Sequence, residues 1–253
     1  MMSAEMIVCS RRSVTASRAG MWVLSCLVAH SVAAGSFSVA PIRIELGPSR
    51  IVEALTIHNE NDAPIVLQAR AVDWSQPGGT DRYADTRDVL VTPPVLSIPA
   101  HGEQIVRVAL RRESDPEREL SYRLSIQEVP QAAPEGFKGL QVLLKVSLPV
   151  FVAPVSHDAR SNLVWDAHWR DDGKLQIEAV NRGGLHRQVW DLALDFETSA
   201  PSVPAGDSKY VLPGSGARWV VTPPPGVKRA APIHVRGKSD QGDFTADVVW
   251  STS

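Results

Sequence analysis

The chain has 253 residues, 43% of them hydrophobic and 21% charged, with a formal net charge of −2. That apolar fraction supplies a sizeable core and excludes disorder along the whole chain, while the near-neutral charge gives no electrostatic footprint for nucleic acid. The 19 prolines and 17 glycines form neither a tract nor a period, which excludes collagen-like and low-complexity classes.

The N-terminus reads as a leader. Arg11, Arg12 and Arg18 precede a mostly apolar run from Met21 to Val32, followed by Ala33 and Ala34. A basic region, a short hydrophobic region and small residues before a cut make a secretory signal peptide over residues 1–34. The run is too short, and with His30 too polar, to span a bilayer. Removing it takes away both cysteines, Cys9 and Cys26, and leaves about 219 residues with a net charge of about −4. Such an exported chain, without disulfides, depends on packed cores for its stability.

The remainder reads as strands. Short β-rich runs at 37–46, 51–58, 65–74, 89–96, 104–110, 122–128 and 140–152 are separated by Pro, Gly, Asn and Asp. Their number and spacing fit an immunoglobulin-like sandwich. A second set follows at 163–169, 175–180, 189–196, 208–211, 217–222, 233–236 and 244–250. It holds five of the seven tryptophans (Trp165, Trp169, Trp190, Trp219 and Trp250), rings of a size that fills a small β core. A polar stretch after Ala153-Pro154 marks the division. The expected architecture is all-β, with two tandem immunoglobulin-like domains at 35–153 and 154–253.

Catalytic signatures are missing. Apart from His30, the histidines (His58, His101, His157, His168, His186 and His234) are scattered singly, whereas zinc sites draw paired ligands from one local element. There is no Gly-x-Ser-x-Gly elbow, no phosphate-cradling glycine loop and, after the leader, no cysteine nucleophile. Asp171-Asp172-Gly173 reads as a hairpin turn. The expectation is a binding protein, not an enzyme, with neither cofactor nor metal.

The informative segment is 140–154. Side chains alternate across a strand, so Leu140, Val142, Leu144, Val146, Leu148 and Val150 share one face, and Gln141, Leu143, Lys145, Ser147 and Pro149 the other. An ordinary core strand would carry the same apolar row. The run is long for a strand, however, and Pro149, without an N–H, suits an edge. Proteins normally avoid a long apolar edge; on an exported chain it suits β-augmentation of a partner's sheet.

With these features the sequence resembles the periplasmic chaperones of chaperone–usher pilus assembly. The carriers are Arg43, Asn59, Thr92-Pro93-Pro94, Pro99, Gly102, Val106-Arg107-Val108, Glu128-Val129-Pro130, the 140–154 strand, Asn181, Gly183-Gly184, His186 and Tyr210-Val211-Leu212-Pro213-Gly214. The resemblance implies an L-shaped pair of immunoglobulin-like domains in the periplasm, with pilus subunits and an outer-membrane usher as partners. It assigns Leu140, Val142, Leu144 and Val146 to a donor strand that completes an unfinished subunit sandwich. It also implies a basic pair in the cleft holding the subunit's C-terminal carboxylate, with Arg43 as one member. Arginine suits that task because its N–H fork matches a carboxylate. The lysine usual near the end of the donor strand falls at Pro149, and this departure, with Ser147-Leu148-Pro149-Val150-Phe151, resembles the archaic branch. Arg123 is the replacement candidate. Arg107, Glu128 and Asp240 resemble the family's salt-bridge set between the domains. The segment 131–138 reads as a brief connection into the donor strand. Competing readings are a secreted structural or adhesive β-sandwich protein, and a carbohydrate-binding module or hydrolase built on the tryptophan-rich half.

Overall fold

The computed structural model describes residues 37–130, 142–196, 202–229 and 231–251. The leader at 1–34, the connection at 131–138 and Leu140 lie outside the described residues. The first half forms β1 (Phe37–Ala40), β2 (Ile44–Leu46), β3 (Val52–Asn59), β4 (Ile65–Ser75), β5 (Arg82–Asp85), β6 (Val89–Thr92), β7 (Val95–Ile98), β8 (Glu103–Leu110), β9 (Leu120–Glu128) and β10 (Lys145–Val152). One sheet runs β1-β3-β8-β6; the other runs β2-β10-β9-β4-β5, with β7 also on β4. Alternation along each strand turns Leu55, Ile57, Val106, Val108, Leu124, Ile126 and Val150 into the space between the sheets, where all are buried.

Two runs that read as single strands each divide at proline. The 37–46 run leaves the first sheet as β1 and enters the second as β2, with Pro41 between; the 89–96 run changes sheets as β6 and β7 across Pro93-Pro94. Proline cannot donate to a ladder, so each pairing ends there and the chain crosses to the facing sheet. Strand β5 gave no signal because all four of its residues are exposed and lack alternation.

The second half forms β11 (Leu163–Trp169), β12 (Leu175–Asn181), β13 (Arg187–Phe196), β14 (Val203–Pro204), β15 (Lys209–Val211), β16 (Gly216–Val221), β17 (Ile233–Ser239), β18 (Gly242–Asp247) and β19 (Val249–Trp250). Its sheets run β16-β12-β11-β19 and β14-β13-β17-β18, with β15 on β13. Trp165 and Trp219 fill the core between them and Trp169 stacks on Trp250; two of the five rings are therefore structural filling. The protein is all-β, two immunoglobulin-like sandwiches in tandem.

Both sandwiches use one device at the end of an inner strand. Asn59 at the end of β3 and Asn181 at the end of β12 are wholly buried. The Asn59 Nδ2 donates to the carbonyls of Ala63 (2.9 Å), Ile98 (3.2 Å) and Pro99 (2.9 Å). Asn181 Nδ2 donates to Leu185 (2.7 Å) and Val211 (3.0 Å), while its Oδ1 accepts from the Asn162 and Gly183 amides. A buried amide with its donors and acceptors met stitches loop backbone that the ladders leave unpaired.

Candidate functional site

Strand β10 lies beside β9 along its whole length, in the register Lys145↔Gln127 to Val152↔Leu120. Its other side meets β2 only over Val150↔Ile44 to Val152↔Leu46. From residue 145 to the proline, that side is an open edge among the described residues. The even-numbered row divides accordingly. Leu148, Val150 and Val152 are buried in the first sandwich's own core; Leu144 and Val146 are half-buried against it. Val142 is 71% exposed. The ordinary core-strand reading thus holds for the C-terminal half of the row and leaves the N-terminal half uncommitted.

On the opposite face of the same sheet, Phe151 and Trp74 form a buried plug with Leu212 of the second sandwich, and Tyr210 packs against it. Tyr210 meets Trp74 edge-on at 5.4 Å, and His186 stacks on Phe151 at 3.6 Å. Gln76 reaches across the junction. Its Nε2 donates to the Tyr210 carbonyl (3.0 Å) and to Asp81 Oδ1 (2.9 Å), and its Oε1 accepts from the Leu212 amide (2.9 Å). Both sandwiches fall within one compact unit.

The two arginines flank this plug in different electrostatic settings. Arg43, just before β2, places Nη2 2.7 Å from His186 Nε2 and 3.3 Å from Asp240 Oδ2. His186 Nδ1 in turn lies 2.6 Å from Glu119 Oε1. Burial pulls the His186 pKa down, but hydrogen bonds to Asp240 and Glu119 outweigh it and the value stands above the ordinary imidazole range. Arg123, opposite Pro149 on β9, pairs with no carboxylate among the described residues. Its guanidinium lies 3.8 Å from the Trp74 ring centroid and 5.4 Å from that of Tyr210, and its buried Nε, like that of Arg43, has no hydrogen-bond partner among them. It lines a cleft of about 460 Å³ with Trp74, Gln76, Asp81, Lys209 and Tyr210. A cation held by aromatic faces, without a carboxylate at ion-pair distance among the described residues, suits an incoming anion.

The expected salt-bridge set is not brought together among the described residues, and two of its members have other partners. Arg107 points to solvent from β8 in the first sheet and makes no ion pair among the described residues. Buried Glu128 closes the approach to β10: its Oε2 accepts from the Leu144 amide at 3.1 Å, and its own amide donates to the Leu144 carbonyl at 3.0 Å. Asp240 takes Arg43 and His186 instead. The roles of Trp74, Gln76 and Glu119 carried no local sequence signal, because their partners lie far along the chain.

Residues 36–157 match the family model of the pili and flagellar-assembly chaperones, PapD N-terminal domain. This stretch is a domain of the PapD N-terminal type. Solved structures extend the likeness to the second sandwich as a matter of fold. A chain of the CsuC–CsuE chaperone–tip adhesion subunit pre-assembly complex, from the archaic chaperone–usher Csu pili of Acinetobacter baumannii, superposes with a TM-score of 0.68 at 20% identity, over 86% of this chain and 100% of that one. The Pseudomonas aeruginosa CupB2 chaperone gives 0.55 at 18%, over 85% and 100%. The Salmonella enterica SafA pilin–SafB chaperone complex gives 0.57 at 17%, over 84% and 96%. Among curated protein sequences none matches the chain. No helix among the described residues is long and apolar enough to cross a membrane, and no group of three or more metal-ligating side chains occurs among them.

Proposed function

We propose that this chain is a periplasmic, non-enzymatic pilus-assembly chaperone of the archaic type that holds pilus subunits by donor-strand complementation and passes them to an outer-membrane usher. Residues 35–153 form its subunit-holding domain and 154–253 the second domain. The observation that carries this reading is the open edge of β10 beside an uncommitted apolar row. Leu140, Val142, Leu144 and Val146 complete the subunit's core. Of the described members Val142, 71% exposed, has most surface left to bury, toward the roughly 1.5–3 kcal/mol of a fully buried side chain of that size; Leu144 and Val146 contribute less because each already has part of its surface covered. The subunit's C-terminal carboxylate is received in the cleft by Arg123, which has no ion-pair partner among the described residues, with Arg43 on the other flank of the plug.

The test is co-expression with a secreted pilus subunit. A soluble 1:1 complex is expected, and Val142→Asp should abolish it while the melting temperature of the free protein stays unchanged, because Val142 is exposed. A complex of undiminished yield with Val142→Asp and Leu144→Asp would overturn the donor-strand assignment.

A further inference from the structure

We infer that Pro149 is a register stop: it ends the edge that β10 offers a subunit strand at Ser147 and keeps that strand away from β2. The inference rests on the donor-strand reading above and adds to it the point at which pairing must cease. The direction of each backbone group on β10 follows from its ladders. The Glu128 amide donates to the Leu144 carbonyl at 3.0 Å, so even-numbered residues exchange hydrogen bonds with β9 and odd-numbered ones turn their polar groups the other way. The Ala153 amide, which donates to the Leu46 carbonyl of β2 at 2.8 Å, confirms the parity at the far end. The missing N–H of Pro149 is therefore missing from the open side, and the β9 ladder loses nothing by it. On that same side the Val150↔Ile44 register turns the Pro149 carbonyl to the Ile44 amide. Pro149 thus presents an added strand with neither donor nor acceptor. The groups it can use within β10 are the amides and carbonyls of Lys145 and Ser147, whichever way it runs. Without such a stop, a strand annealing along β10 would compete directly with the short β2 pairing, which spans only Ile44 to Leu46.

Amide hydrogen exchange on the complex with the co-expressed subunit tests this. In the wild-type complex the Ser147 amide gains protection, while the amides of Ile44, Leu46 and Ala153 exchange as in the free protein. In Pro149→Ala the boundary moves: the new amide at 149 becomes protected on complex formation, Ile44 and Leu46 lose protection, and the subunit dissociates roughly tenfold more slowly through the added hydrogen bond. Loss of β2 protection in the wild-type complex overturns the inference without any variant. So does an amide at 149 that is equally protected with and without subunit, since it would then be bonded inside the chaperone. A complex in which Ser147 gains no protection, or no complex at all, instead brings down the donor-strand reading on which the stop depends.

Discussion

Arg43 and Arg123 carry the same charge beside the same aromatic plug, yet their neighbours separate their roles. Arg43 is held by Asp240 and by the ring of His186, and its guanidinium also lies 5.4 Å from the Phe151 ring centroid. Removing it strips a half-buried carboxylate of a cation, a loss of about 1–3 kcal/mol. Arg123 is held by ring faces alone among the described residues, an interaction worth about 0.5–2 kcal/mol, and that setting is the ground on which it is proposed as the carboxylate anchor. Arg123→Ala should therefore cut recovery of the subunit complex severely while lowering the melting temperature of the free protein only slightly. Arg43→Ala should lower that melting temperature by several degrees, measurable by calorimetry. The reverse ranking would make Arg123 structural and Arg43 the anchor. The sequence reading named both residues as one anchor pair, because an arginine's type and strand position are local facts, whereas the partner that neutralises Arg43 stands at position 240. Arg107 stands with Glu128 and Asp240 by resemblance alone, whereas β8 turns it to solvent and Asp240 meets Arg43 and His186.

Elements were more legible than partnerships. Long alternating runs such as β3, β8 and β9 were readable because one face must be apolar to enter a core. The prolines that divide the 37–46 and 89–96 runs were visible as residues, but that the chain crosses there to the facing sheet depends on which neighbour each half pairs with. Gly183-Gly184 was noted as a resemblance only, and its physical reason emerges from the junction: a Cβ on Gly184 would stand 2.4 Å from the Glu117 carbonyl oxygen, and the Gly184 carbonyl accepts from the Glu119 amide at 2.8 Å. The β4–β5 loop shows the same limit, since nothing near Gln76 announces that its amide will serve the backbone of Tyr210 and Leu212. That side chain stands in for a strand by offering the second sandwich one donor and one acceptor. Gln76→Ala should leave the buried Leu212 amide and the Tyr210 carbonyl unpaired, at about 1–3 kcal/mol. For a protein of this size that corresponds to a fall of roughly 2–10 °C in melting temperature. Small-angle scattering should also register a looser junction. A Gln76→Ala protein with unchanged melting and scattering would show that the aromatic plug alone fixes the contact.

At the scale of the whole molecule, the junction between the sandwiches carries a titratable cluster drawn from both. His186 is faced by Arg43 from the approach to β2, by Glu119 from the approach to β9, by Asp240 from the β17–β18 turn and by the Tyr210 ring of β15, with Phe151 of β10 stacked against it. Burial acts to raise the Asp240 pKa, but its hydrogen bond to His186, the Gln188 amide and the Arg43 charge bring it below the usual carboxylate range. The signs then follow from linkage. A raised histidine pKa stabilises the folded state fully below the ordinary imidazole value of about 6.5, and that contribution fades as pH rises through the folded-state value. A lowered aspartate pKa stabilises above the ordinary carboxylate value of about 3.9 and is lost as pH falls through its folded-state value. Both contributions are present together in mildly acidic solution. The ring also changes its bonding as it titrates. Neutral, with its proton on Nδ1 toward Glu119, it can accept from Arg43 through Nε2; doubly protonated, it donates to Asp240 and repels Arg43. Wild-type melting temperature should therefore exceed that of His186→Gln by a margin that widens as pH is lowered from about 8 to about 5, across the ordinary imidazole range. The comparison cancels groups that titrate identically in both proteins. A margin that stays constant over that interval would mean that His186 holds the junction by packing on Phe151 and not by its charge.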